Sequence, residues 1–507
     1  MSLNGNSRPR RAQHIGAALW RMPDMRLVMA CATAVAIVLS APGAHAQAIS
    51  AEEAEVLRAQ IRTMKAQMEA MEARLNAASP AAAAAQASPA AAAAQGTAQS
   101  AAPAGTPAIA AGTAAPAPRA GDKDATSIDW KGSPQFAQGD RAFKVKGRIQ
   151  ADANYVSAPG SLDDKGLGFN NEMRRIRLGA EGALGAGFDY KLELELSDNA
   201  VDLVDTYVGY HTGPWQIRLG NQNSFQSLDE LTGDTSGSVM ERAAFTDAFN
   251  FERRLGLAFQ YGKGPWLAQA GVFTDDISAL ANDSDGENGG DENNSYGLDG
   301  RLVFAPKIGD LQLHFGGSAH WRRLGRLAES DTRYRQRPFV HSTNTRLIGT
   351  PAMNVSEEDH YGVEFAAIRG RWHAAAEYHA LTANRVDAST VTFQGAYAET
   401  GLFLTKGDHR GYKEGIFRVE KPAHPVGEGG IGSVLFTLRY DWLDLNDRDI
   451  RGGTQNGYIA ALVWEPIQNL RFNVNYALMD YTGAKALPSG KTDYDAQVIG
   501  TRFELDF

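Results

Sequence analysis

Arg333, Arg335 and Arg337 alternate with Tyr334 and Gln336. In an extended chain, side chains two apart share a face, so these three guanidinium groups would form a ladder along one wall. A guanidinium offers a planar fork of donors that matches the oxygens of phosphate, and it keeps its charge near neutrality. The same spacing recurs in Lys144, Lys146 and Arg148, and again in Arg175 and Arg177. Several such sites in series let an anion leave water without falling into one deep well.

Bond-making chemistry finds less support. The histidines His314, His320, His360, His373 and His379 are scattered, with no HExxH and no metal-ligand spacing. The single cysteine, Cys31, lies in an apolar N-terminal run. The acidic stretch Asp283–Glu292 carries glycine at its fourth position, where a calcium-binding EF-hand loop needs the sixth. No catalytic residue, metal site or cofactor is therefore expected, and the chain is not read as an enzyme.

The elements that would position the arginines are strands. From Arg141 onward, short alternating segments recur, and sixteen candidates run from Phe143–Val156 to Tyr494–Phe507. Tyr190, Leu192, Leu194 and Leu196 alternate with Lys191, Glu193 and Glu195; Val434, Phe436, Leu438, Tyr440 and Trp442 alternate with Thr437, Arg439 and Asp441. The last strand puts Ile499, Thr501, Phe503, Leu505 and Phe507 on one side, and Arg502, Glu504 and Asp506 on the other. Charges turned into a dry sandwich core would be ruinous, whereas a membrane barrel has an oily outside and a wet lumen. Links after even-numbered strands are mostly tight, as at Gly262–Gly264 and Gly370. Those after odd-numbered strands are mostly long, as at 223–251, 275–294, 323–358 and 445–455. This is the loop asymmetry of an outer-membrane barrel whose termini lie in the periplasm. The fold class is all-β: a transmembrane antiparallel barrel of about sixteen strands over residues 141–507.

The N-terminal part reads differently. Arg8, Arg10, Arg11, Arg21 and Arg26 precede the apolar run Leu27–Leu39, and Ala44-His45-Ala46 supplies a cleavage site, so residues 1–46 read as a signal peptide. Residues 47–78 read as a short coiled coil, with Leu57, Ile61, Met64, Met68, Met71 and Leu75 on a heptad seam that suits a trimer. Residues 79–140 are an Ala/Pro-rich linker and lead-in that hold this helix away from the barrel, in the periplasm. Of 50 basic and 59 acidic residues, the signal segment removes five arginines and one aspartate. The remaining 45 against 58 give a net charge of −13, which argues against nucleic acid as a partner.

The barrel resembles the phosphate-selective porin O and P family from about Phe143 to Phe507. The carrying stretches are KGRIQADANY (Lys146–Tyr155), MRRIRLGAEG (Met173–Gly182), FDYKLELELS (Phe188–Ser197), VDTYVGY (Val204–Tyr210), IRLGNQNSFQSLDELT (Ile217–Thr232), MERA (Met240–Ala243) and DTRYRQRP (Asp331–Pro338). The resemblance implies trimeric sixteen-stranded barrels whose third loop folds into the pore, with a later turn, here 405–432, also entering. It places Arg148, Arg174, Arg175, Arg333, Arg335 and Arg337 at positions associated with an arginine ladder. One departure concerns the third loop, where phosphate-selective members carry a lysine. The stretch Gly233–Val239 has none, and Arg242, Arg253 and Arg254 stand beside Asp229, Glu230, Asp234, Glu241 and Asp247.

The expectation is thus an outer-membrane porin passing small anions, phosphate or related oxyanions, along a lumen lined by Arg333, Arg335, Arg337, Arg148, Arg174, Arg175, Arg177, Lys146 and Arg242. Its expected partners are inorganic phosphate or other small anions, outer-membrane lipid and lipopolysaccharide, and two further copies of itself. The alternatives are a general or organic-solute porin without phosphate selectivity and, more remotely, an envelope tether or a barrel hydrolase. The charged 323–358 loop also fits a plain solvated surface, or one that binds lipopolysaccharide phosphates.

Overall fold

The computed structural model describes residues 126–130, 132–197, 200–275, 277, 295–325 and 331–507. The expected signal peptide and coiled coil, and most of the linker, lie outside them, as does most of the acidic 275–292 stretch. Among the described residues, sixteen long strands form one closed antiparallel barrel. They are β1 (Arg141–Val156), β2 (Gly168–Gly185), β3 (Phe188–Glu195), β4 (Asp202–Thr212), β5 (Trp215–Asn223), β6 (Arg253–Lys263), β7 (Trp266–Phe273) and β8 (Tyr296–Phe304). There follow β9 (Leu311–Arg323), β10 (Val355–Arg369), β11 (Trp372–Arg385), β12 (Val391–Phe403), β13 (Ser433–Asp447), β14 (Ile450–Ile467), β15 (Leu470–Thr482) and β16 (Tyr494–Asp506). All sixteen expected strands are present, with ends shifted by a few residues. Closure comes from β16 against β1, in register from Val498↔Val156 to Asp506↔Arg148.

The burial pattern is that of an inverted protein. On β13, Phe436 (39%) and Leu438 (50%) face outward, while Thr437 (0%), Arg439 (4%) and Asp441 (3%) are buried. On β16 Phe503 is exposed, whereas Arg502 and Glu504 are buried. A soluble fold would have the reverse, because apolar surface left in water costs about 25 cal/mol per Å2. Here the outer face meets lipid and the alternation reads directly onto the two sides of the wall. Aromatic pairs such as Trp215–Tyr261 and Trp266–Phe304 stand near the tight turns, where a membrane-interface girdle belongs.

One end of the barrel carries the tight turns. Gly264 (φ +59°) and Gly370 (φ +54°) open two of them in the left-handed conformation that short hairpins need. The other end carries most of the long links, the 404–432 link after β12 being the exception, and one expectation there is corrected. Residues 445–455 were expected to form a long loop, but β13 and β14 continue pairing to Asp447↔Ile450 and leave a two-residue turn. Asn446 explains the misreading: its side chain bonds Asp444 Oδ1 and Thr454 Oγ1 across a bulge, so residues that look loop-like extend the ladder. Within the lead-in, Ser127–Trp130 and Pro134–Gln138 form a hairpin paired to the start of β1. The C-terminal Phe507 exchanges both backbone bonds with Gly147 at 2.9 Å, and its ring lies where a side chain at 147 would be.

Candidate pore and its loop

The link between β5 and β6 turns inward and packs inside the barrel. It contains a short helix α1 (Leu228–Leu231), a 3-10 turn (Asp234–Ser236) and a second helix α2 (Ala244–Ala248). Ser227 caps α1, its Oγ accepting from Glu230 N at 3.1 Å. A loop held in a lumen must satisfy its peptide groups without a ladder, and here the wall does so. Phe225 N donates to Asp299 (3.0 Å), Leu228 N and Asp229 N to Glu377 (3.0 and 2.7 Å), Met240 N to Asn475 (3.1 Å) and Ala244 N to Asp441 (3.0 Å). In the opposite sense, Arg471 and Arg502 of the wall donate to the carbonyls of Thr235, Gly237 and Met240, and Arg410 of the 404–432 link donates to that of Ser236. Three carboxylates and one carboxamide hold its amides, and guanidinium groups hold its carbonyls. Phe245 and Phe251 add an apolar anchor against His379 and His360.

The 404–432 link also enters the barrel, as the resemblance implied. Its small ribbon, Gly411–Lys413 with Ile416–Arg418, meets the loop where Phe417 N donates to Thr232 Oγ1 (3.3 Å), and meets the wall where Arg301 donates to the Gly415 carbonyl (2.9 Å). Two inward segments therefore narrow one lumen.

What they leave open is two chambers. The one toward the long loops measures about 550 Å3 and is lined by seven arginines and six carboxylates. The one toward the tight turns measures about 370 Å3 and is lined by nine basic and five acidic side chains. Arg175, Gly233, Asp234, Arg242 and Arg253 line both, and so mark the junction. At this junction Asp234 Oδ1 lies 2.5 Å from Arg148 Nη1 and its Oδ2 lies 2.8 Å from Arg175 Nε. Burial works against ionisation of Asp234, but Arg148 and then Arg175 outweigh it and hold the carboxyl well below its usual range.

Most of the expected site residues are engaged by carboxylates. Lys146 pairs with Glu181 (3.0 Å), Arg174 with Glu241 (3.4 Å) and Arg177 with Glu195 (2.8 Å). Arg242 is spent inside the loop, donating to the carbonyls of Asp229, Glu230 and Thr232. The three alternating arginines do not stay together. Arg333 and Arg335 line a cleft of about 450 Å3 at the loop end with Arg346, Arg451 and Lys485, and no carboxylate side chain lines it. Arg337 lines the first chamber and pairs with Asp247 (3.0 Å). Residues left off the expected list also line the lumen. Arg439 pairs with Glu399 (2.7 Å), and Arg502 binds Asp152 through two bonds of 2.8 Å. Their signal was available, since both sit on the polar side of strands already recognised by alternation. Among the described residues, no group of three or more His, Asp or Glu could hold a metal ion.

A wall of paired charges, an inward loop and two connected chambers are parts for permeation. The family model described as phosphate-selective porin O and P matches residues 143–507. The chain belongs to this family. It is an outer-membrane porin. An uncharacterized protein of Caulobacter vibrioides is 61% identical over 382 residues, covering 75% of this chain and 77% of that one. Among solved structures, an anion-selective porin from Comamonas acidovorans covers 72% of this porin and all of its own chain at 12% identity and a TM-score of 0.46. The outer membrane channel DcaP of Acinetobacter baumannii covers 73% and 99% at 11% identity and a TM-score of 0.43.

Proposed function

We propose that this porin passes small anions by passive diffusion, with phosphate and related oxyanions as its preferred solutes. The observation that carries the reading is the chamber toward the tight turns, where nine basic side chains face five acidic ones around the junction. Lys146 and Arg177 are neutralised by Glu181 and Glu195, so the excess lies where one carboxylate serves two cations, Asp205 with Lys191 and Arg253 and Asp234 with Arg148 and Arg175, and a segment with such an excess favours anions. Arg333, Arg335 and Arg346 at the mouth would gather anions before entry, and Arg337, Arg174 and Arg175 would receive them. Arg148, Arg177 and Lys146 follow beyond the junction. The role is conduction, with no bond made or broken. The absence of lysine from Gly233–Val239, where Asp234 stands instead, favours modest selectivity over tight phosphate capture.

The assembled form is proposed as a homotrimer, with residues 1–46 removed on export. Residues 47–78 would associate as a coiled coil in the periplasm, held off by the 79–140 linker, and the basic mouth would also meet lipopolysaccharide phosphates. Reversal potentials in a planar bilayer under a potassium chloride gradient test the reading. An anion preference that falls as phosphate is titrated in supports it; a cation preference overturns it.

A further inference from the structure

The junction holds a carboxylate where an oxyanion would fit. Arg148 stands opposite Arg177 and Arg175 opposite Gln150, so Arg148 and Arg175 are diagonal neighbours on paired strands, and both converge on Asp234 from the loop. Two guanidinium groups aimed at one point are the donor arrangement that recognises phosphate, sulfate or carboxylate. Asp234 fills the point incompletely. The Nε–H of Arg148 and that of Arg175 have no aligned hydrogen-bond acceptor, although Arg175 Nε lies within 2.8 Å of a carboxylate oxygen. A planar carboxylate offers two oxygens, and a tetrahedral oxyanion offers four. Asp234 also begins a single turn flanked by Gly233 and Gly237, and nothing lies within 4 Å of where a side chain on Gly233 would start. Arg471 and Arg410 hold the backbone of the turn at Thr235, Ser236 and Gly237, but Asp234 lines both chambers and its side chain can swing into the open lumen.

We propose that Asp234 is a tethered counter-anion, a displaceable occupant of an oxyanion-binding site made by Arg148 and Arg175. This rests on the anion-passage reading above and adds how the site is kept from holding its solute. A ligand tied on by a short turn competes at a millimolar or higher effective concentration. A free oxyanion therefore finds the site mostly taken, and its apparent affinity falls by the fraction of time the site is vacant. Each passing anion exchanges with the carboxylate, so the arginines are never left bare and the solute is never bound deeply.

The test compares wild type with Asp234→Asn and Asp234→Ser in planar bilayers, titrating inorganic phosphate against the chloride current. Removing the carboxylate should lower the half-blocking phosphate concentration by about tenfold or more. Equal half-block in wild type and both variants overturns the proposal. The wild-type reversal potential is read in the same recordings: a cation preference there counts against the anion reading, whereas an anion preference with unchanged half-block counts only against the tethered carboxylate. Should the variants assemble poorly, their heat-driven unfolding is followed by gel mobility. Phosphate should raise the variants' transition more than that of wild type, because it replaces the missing anion. No difference in that response overturns the proposal as well.

Discussion

Glu377→Ala tests the anchoring of the inward loop. The Glu377 carboxylate accepts from Leu228 N at 3.0 Å and Asp229 N at 2.7 Å, and from the Tyr397 hydroxyl at 2.9 Å. Hydrogen bonds to a charged acceptor contribute about 1.5–3 kcal/mol each, so the two backbone bonds together hold the start of α1 by about 3–6 kcal/mol. The lumen is wet, and the freed amides would regain water, which places the loss near the lower figure. About 3 kcal/mol is on the order of a hundredfold in the docked population of this segment. Asp299, Asn475 and Asp441 still hold Phe225, Met240 and Ala244, so the loop loosens at α1 without leaving the barrel. Single-channel recording of the variant should show raised open-channel noise and altered conductance, with Glu377→Gln, which keeps one carbonyl acceptor, in between. Conductance and noise equal to wild type in Glu377→Ala would refute the claim that the wall carboxylates position the loop.

Arg175→Ala leaves Asp234 with one ion pair, to Arg148, and removes one positive charge from the junction. At an effective dielectric of about 20, an anion about 8 Å away loses roughly 2 kcal/mol before ionic screening and about 1 kcal/mol after it, while a cation gains as much, so the anion-to-cation permeability ratio should fall roughly thirtyfold. Gly147→Val should slow barrel assembly, since a Cβ at 147 would overlap the Phe507 ring; the cost is about 1–3 kcal/mol, read as a lower heat-unfolding transition on gels. Arg333→Ala with Arg335→Ala should weaken phosphate block at low salt and have little effect at high salt, because charges at an open mouth are screened beyond about 10 Å at 0.1 M. For Asp234 the folded pKa lies below the unfolded one, so the stabilisation from Arg148 and Arg175 is complete above about pH 4 and is lost as pH falls through the folded value. Selectivity set by this group should show no step between about pH 5 and 8, as reversal potentials across that range would report.

The wall was legible because its rule is local. A period of two is visible within ten residues, and Leu192 beside Glu193 or Phe503 beside Glu504 already says which side of the strand is wet. Loop asymmetry was legible for the same reason, except where bonds of Asn446 to Asp444 and Thr454 carry β13 and β14 past residues that usually end a strand. Charge pairing was not legible. Arg148 meets Asp234 from 86 residues away, and Arg502 meets Asp152 from 350 away. No spacing rule reaches across such distances. Hence Arg333, Arg335 and Arg337 read as one ladder, while the fold sends the first two to the mouth and turns the third toward Asp247. The hairpin at 127–138 was missed because its strands are too short to show alternation.

The loop and the wall that grips it lie far apart in the gene: Met240 and Asn475 are separated by 235 positions. Transplanting the loop alone into another barrel would bring a string of peptide groups to a surface that offers them the wrong partners. Swapping the wall alone would strand the loop in the same way. Permeation in this porin can therefore drift by exchanging side chains that face open water, but its narrowest part can be redesigned only by changing two distant regions together.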